Sequence, residues 1–119
     1  MKPVSHIYLY QEDLRVFGKG PCMLLCAIEE KGSLRAAAAS MGLSYSKAIQ
    51  MVQRAESAFG FPLTEKTIGG KGGGGSQLTA DARLLIEKFQ TYEEACHEAT
   101  TKLYETYFGK CQLREDKNG

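Results

Sequence analysis

Apolar positions along this chain fall into helical and strand-like periods, and Gly, Ser and Pro mark most of the places where one period stops. His6 to Tyr10 (HIYLY) alternates in part and is rich in β-branched and aromatic residues, which predicts a short strand ending before Glu12-Asp13. Pro21 suits the first turn of a helix that continues through Met23, Leu24, Ala27 and Ile28 to Lys31, where Gly32 supplies the stop. Ser33 then predicts an N-cap, with Leu34, Ala37, Ala38 and Met41 at i, i+3, i+4 and i+7 on one apolar face. Gly42 ends this Ala-rich helix early, and only Gly42-Leu43-Ser44 separate it from the next one. Two helices joined by so short a turn containing Gly form the helix-turn-helix pattern.

The third helix is predicted from Tyr45 to Phe59, with Ser44 as its cap and Gly60 beyond it. At about 100° per residue, Tyr45, Ala48, Ile49, Val52, Ala55 and Phe59 gather on one side, with Glu56 at its margin. Ser46, Lys47, Gln50, Gln53, Arg54 and Ser57 gather on the other. That polar side carries amides, hydroxyls and cations, the groups that read base edges and hold phosphates, and it carries no carboxylate to repel a duplex. Any solvated helix needs a polar face; its place behind a short helix and a tight turn is what favours recognition.

Leu63 to Thr67 and Gln77 to Thr79 read as two short strands around the tip GGKGGGGS at 69–76, a hairpin following the third helix and hence a wing at 63–79. The glycines would let backbone amides approach a phosphate backbone, and Lys71 adds charge at the tip. A phosphate-binding loop of the nucleotide-binding kind does not fit, because the GxxxxGK[ST] order is missing. An engineered linker would join two separable domains, whereas this stretch divides a hairpin whose flanks are continuous with the rest.

One long helix is predicted from about Ala80 to Tyr107, with Thr79 as its cap. Leu78, Ala82, Leu85, Phe89, Tyr92, Cys96, Ala99 and Leu103 are spaced alternately by four and three, the seam of helices that pack along one another. A helix roughly 40 Å long, at about 1.5 Å per residue, outreaches so small a core. Leu85, Phe89, Tyr92, Cys96, Ala99 and Leu103 are therefore expected to meet a second copy of the chain in a homodimer, with the first helix or the N-terminal strand contributing. The residues at 109–119 read as a polar, frayed tail.

At 119 residues the chain accommodates one small core, and a net charge of +1 says little until it is divided along the sequence. Positions 31–71 hold six cations against two carboxylates, whereas 79–119 hold six against eight. A basic middle beside an acidic end fits a local DNA footprint, with Lys31, Arg35, Lys47, Arg54, Lys66 and Lys71 as phosphate contacts and Gln53 on the reading face. No apolar run spans a bilayer and no signal-peptide core follows Met1-Lys2-Pro3, so a cytoplasmic protein with no membrane partner is expected. Cys22, Cys26, Cys96 and Cys111 contain no CxxC pair. Cys22 and Cys26 share a helical face and read best as small buried thiols, and His6 and His97 stand apart, so neither a metal nor a cofactor is expected. An enzyme is not expected either, since no general base or metal cluster accompanies the glycine loop; an adaptor that dimerises without binding DNA is the other alternative.

The run Ala27 to Ala38 (AIEEKGSLRAAA), followed by Met41 to Ala48 (MGLSYSKA), resembles the helix-turn-helix of ModE-type molybdenum-responsive regulators and, more distantly, of LysR-type regulators. GGKGGGG at 69–75 with Leu78-Thr79 after it is similar to the ModE-type wing. The resemblance, covering roughly 19–107, implies a mainly α winged helix-turn-helix with a long C-terminal dimerisation helix and a recognition helix at 44–59. It places Ser44, Tyr45, Ser46, Lys47 and Gln50 at the major groove of double-stranded DNA, Arg54 near the backbone and Lys71 on the wing. Molybdate-sensing members carry further C-terminal oxyanion-binding domains, and this sequence stops before any, so molybdate is not expected to bind this chain.

Overall fold

Local hydrogen bonds at the helix ends set where each helix begins and stops. In the computed structural model, which describes residues 1–67 and 75–109, helix α1 covers Lys19–Lys31, α2 Leu34–Ser40, α3 Tyr45–Phe59 and α4 Ala80–Phe108. The Ser33 Oγ accepts the Ala36 N–H at 3.0 Å, and the Ser44 Oγ accepts the Lys47 N–H at 3.1 Å. Each satisfies a donor that the first helical turn would leave open. Thr79 does the same for α4, accepting from the Ala82 N–H at 3.0 Å while its own hydroxyl donates to the Pro62 carbonyl at 2.8 Å. At the other ends, Gly32 (φ 83°) and Gly60 (φ 84°) adopt the left-handed conformation, and their N–H groups close the last turns of α1 and α3.

Strands β1 (Tyr8–Gln11) and β2 (Leu14–Gly18) form an antiparallel hairpin, and β3 (Thr64–Thr67) pairs with β4 (Gly75–Leu78) in the wing. The first strand thus begins two residues later than the sequence predicts, and β2 escapes prediction altogether. Val16, Phe17 and Gly18 are buried in succession, and the register shifts between Leu9 and Tyr10. An irregular pair of that kind destroys the period of two on which strand prediction depends. In the wing β3 falls within a residue of its expected place, whereas β4 begins two residues earlier, taking in Gly75 and Ser76 that the sequence assigns to the loop tip. Gly75 is held to its identity by close approach: a Cβ there would run into the Thr67 Oγ1 and lie 3.3 Å from the Gly32 carbonyl. That carbonyl also accepts the Ser76 N–H at 2.9 Å, tying the wing to the end of α1. The loop tip with Lys71, and the tail from 110 onward, lie outside the described residues.

The chain divides into two compact units, one of Ile7–Phe89 and one of Met1–His6 with Gln90–Gly119. The division falls inside α4, at Phe89. In the first unit Phe17 is fully buried at the centre of an aromatic cluster. Its ring meets Phe59 edge-on at 5.8 Å between centroids and Phe89 edge-on at 5.1 Å. Leu24, Leu25 and Ile28 of α1, Ala37 and Ala38 of α2, Ala48, Val52 and Ala55 of α3, and Leu63 and Leu78 from the base of the wing complete this core. Alanines on α2 and α3 leave room for the two helices to approach closely.

Leu85 and Phe89 require a correction. Both are buried, at 8% and 3% exposure, within the core of their own unit, so they are not available to another subunit. The heptad seam could not distinguish them, because a residue packed inside a subunit and one packed between subunits share the same period. In the second unit the Tyr104 hydroxyl donates to the Met1 carbonyl at 3.3 Å, and the Tyr104 and Phe108 rings stack at 5.8 Å. Tyr92, Leu103 and Tyr107 on this part of α4 are exposed. Phe17→Ala is expected to lower stability by about 3–5 kcal/mol in urea unfolding, because it empties a position from which two other rings take their edge contacts.

Candidate nucleic-acid interface

Whether α3 presents its polar side depends on how firmly the opposite side is committed. Ala48, Val52 and Ala55 are buried, Met51 and Phe59 are partly so, and Ser46, Lys47, Gln50, Gln53, Arg54 and Ser57 are all exposed. The exposed set is the one predicted from the helical period. Glu56, the carboxylate of α3, is drawn away from it: its Oε2 accepts the Leu63 N–H at 2.8 Å and so pins the segment leading into the wing. The face opposite the core therefore carries only neutral polar groups and cations.

Tyr45 departs from its predicted side. It is 39% exposed, and the Arg35 guanidinium lies over its ring at 4.0 Å from the centroid. This contact joins the first turn of α2 to the first turn of α3 and holds a cation beside the start of the polar face. Ser44 has a local duty as the cap of α3, and its Oγ also lies 3.5 Å from that of Ser46. A hydroxyl that accepts from a backbone N–H retains its own proton to donate, so capping and phosphate contact are compatible. Lys31 is exposed at the end of α1, and Lys66 is exposed on β3. The wing strand carries Glu65 on its other face, where its carboxylate accepts from the Gln77 amide at 3.3 Å.

One component escaped sequence reasoning. A cavity of about 260 Å³ lies against α3, lined by Lys47, Met51 and Arg54 together with Tyr8, Arg15 and Val16 of the β1–β2 hairpin and by Gly20, Pro21 and Leu43. The Arg15 guanidinium is stacked at 4.0 Å over the Tyr8 ring, and its Nε and Nη2 point at the Tyr10 hydroxyl from 3.4 and 3.5 Å. The hydrogen bond to Tyr10 moves the arginine pKa upward from an already high value, so the charge is permanent. The signal for this hairpin was the Glu12-Asp13 turn between two apolar runs, with Glu12 at φ 55°.

The cysteines divide as well. Cys22 is buried as expected, whereas Cys26, expected to be buried too, is exposed: at about 100° per residue it lies about 40° further round α1 than Cys22 from the side that carries Leu24, Leu25 and Ile28. No group of three or more His, Cys, Asp or Glu with metal-binding geometry occurs among the described residues, and no described helix is long and apolar enough to cross a membrane.

The profile of bacterial regulatory helix-turn-helix proteins of the lysR family matches residues 22–83. The molybdenum-pterin-binding protein MopB of Rhodobacter capsulatus is 40% identical over 70 residues, covering 59% of this chain and 26% of that protein. The molybdenum transport protein ModE of Azotobacter vinelandii is 34% identical over 82 residues, 69% of this chain and 30% of that protein. The chain thus spans roughly a quarter to a third of the length of these relatives. Among solved structures, the crystal structure of the CbnR_DBD–DNA complex has the same fold, with a TM-score of 0.56 at 21% identity over 73% of this chain and 94% of that one.

Two of the carboxylates with partners, one half-buried and one in solvent, should behave differently. Glu56→Ala is expected to cost about 1.5–3 kcal/mol in chemical unfolding, since it strands a half-buried N–H that had a charged acceptor. Glu29→Ala, whose partner Arg83 sits at 3.0 Å but in solvent, should leave the unfolding midpoint nearly unchanged.

Proposed function

Because this chain belongs to the lysR family of bacterial regulatory helix-turn-helix proteins, we propose that it is a sequence-specific DNA-binding transcription regulator that reads an inverted repeat as a homodimer. The observation that carries this reading is the acid-free, solvent-facing side of α3, set directly after a capped short helix and a tight turn. Ser46, Gln50 and Gln53 lie along the middle of that face and would meet base edges in the major groove, where amides can both donate and accept. Lys47 and Arg54, with Arg35 from α2, lie at its borders and would meet phosphates; Lys66 and Lys71 would extend those contacts along the wing. A helix that reads bases is held in register by such backbone contacts, which carry no sequence information of their own.

Dimerisation in this reading uses the part of α4 beyond Phe89, namely Tyr92, Cys96, Ala99 and Leu103. Tyr92 and Leu103 are exposed at 48% and 59%, and Tyr107 and Phe108 are exposed further along the same helix. Hydrogen bonding with Cys96 pushes the Tyr92 hydroxyl pKa upward, so the Tyr92 side chain enters this stretch of the seam as a neutral phenol. Two subunits related by a two-fold axis would place their recognition helices about 34 Å apart, one turn of the duplex. The relatives are named for molybdenum transport and molybdenum-pterin binding; the partners of this chain in this reading are DNA and a second copy of itself.

Selecting bound duplexes from a random pool tests binding, symmetry and spacing together, and an inverted repeat with half-sites one turn apart is the expected product. On that site, Lys47→Ala should weaken binding to specific and random duplexes by similar factors, whereas Gln50→Ala should change sequence preference more than affinity. Equal losses on both duplexes for both variants would count against α3 as the reading helix. In sedimentation at micromolar concentration, the wild type should run as a dimer and Leu103→Glu as a monomer with unchanged helicity; an unaltered dimer would remove this stretch of α4 from the interface.

A further inference from the structure

We propose that the β1–β2 hairpin is a second DNA-backbone grip, with Arg15 holding a phosphate on the side of the major groove opposite the one met by Arg35. The inference rests on the DNA-binding reading of α3 and extends it to an element outside the helix-turn-helix and the wing. Its basis is the position of the cations around α3. At about 100° per residue, Tyr45 lies about 200° around the helix from Lys47 and about 180° from Arg54. The middle of the polar face, with Ser46, Gln50 and Gln53, lies between them. Arg35 stacks on Tyr45 at one border. At the other border, Lys47 and Arg54 share a cavity with Arg15, which α3 itself could not supply.

The two borders are separated by about the diameter of a helix with its side chains, roughly 10–12 Å. The major groove is about 12 Å wide, and a phosphate strand runs along each of its edges. Lys47 and Arg54 face the strand on the border opposite Arg35, and a third cation from outside α3 would extend the grip on that strand beyond the reach of the helix. Arg15 is built for that strand. Stacking on Tyr8 fixes the plane of the guanidinium without using its donors, and the two contacts to the Tyr10 hydroxyl are long ones. A pre-oriented fork with unused N–H groups is the arrangement that binds phosphate oxygens with least loss of side-chain freedom. Among the described residues the ion pair is Arg83 with Glu29, so Arg15, Lys47 and Arg54 are not neutralised by a carboxylate. No carboxylate lines the cavity they share, and Glu12 and Asp13 at the hairpin turn line neither it nor the adjoining one that reaches Gln50 and Gln53.

The test is the salt dependence of binding to the selected site and to a random duplex, followed by anisotropy of a labelled duplex at increasing KCl. Arg15→Gln should weaken both complexes by a similar factor and lower the slope of log K against log salt by about 0.9, the signature of one lost phosphate contact. Arg15→Lys, which keeps the charge, should retain the wild-type slope. Ethylation interference locates the contact independently of affinity: one phosphate per half-site should stop interfering in Arg15→Gln while the others persist. A wild-type slope in Arg15→Gln alongside a lowered slope in Lys47→Ala would overturn the grip and leave the α3 reading standing. So would a loss confined to the selected site, which belongs to base contact. Absence of duplex binding by the wild type at low salt would overturn both.

Discussion

The apolar side of α3 packed against the core around Phe17 is the contact on which the other features of this protein depend. Ala48, Val52 and Ala55 are buried with Phe17, Leu24 and Ala38 in one cluster, and Phe59 places its ring against that of Phe17. A helix anchored along one side has its rotation about its own axis determined, and with it the direction of every residue on the other side. Ser46, Gln50 and Gln53 face solvent because Ala48, Val52 and Ala55 cannot. Small residues do this well: they bring the helices close, so that a slight rotation of α3 would collide with α2 rather than be absorbed by a flexible side chain.

Local hydrogen bonds sharpen what the core determines. The serines before α2 and α3 and the glycines after α1 and α3 set the helix lengths to within a turn, which keeps Arg35 and Tyr45 in range of each other across the connection. Glu56 illustrates how one contact can serve two ends. By accepting the Leu63 N–H it ties α3 to the base of the wing, and in doing so it turns the carboxylate away from the exposed side that carries Lys47 and Arg54. The same economy appears at Thr79, whose side chain caps α4 and binds the carbonyl of Pro62, so that wing and long helix start from one fixed point.

In α4 a single period serves two purposes. Its first part, to Phe89, closes the core of the helix-turn-helix unit, and its later part belongs to the other unit and leaves Tyr92, Leu103 and Tyr107 in solvent. Periodicity reports that a residue is covered by something on that side of the helix; it does not report whether the cover comes from the same chain. Exposure in the folded subunit supplies the missing distinction, and it moves Leu85 and Phe89 from a surface between chains to the interior of one.

Most of the helix-turn-helix was determined by the sequence itself, because its signals are local. Caps at Ser33 and Ser44, stops at Gly32 and Gly60, and the 3.6-residue period of α3 each act within a turn or two, so the limits of α3 and its exposed set could be read directly. The β1–β2 hairpin and the cation it carries were decided only by tertiary structure. Arg15 lies 32 positions before Lys47 in the chain, and no short-range pattern relates them; they line one cavity because β2 packs against α3. Local rules describe what a segment prefers, whereas the pairing of distant segments depends on which apolar faces meet, and in this chain that meeting adds a third cation to a border where α3 alone supplies two.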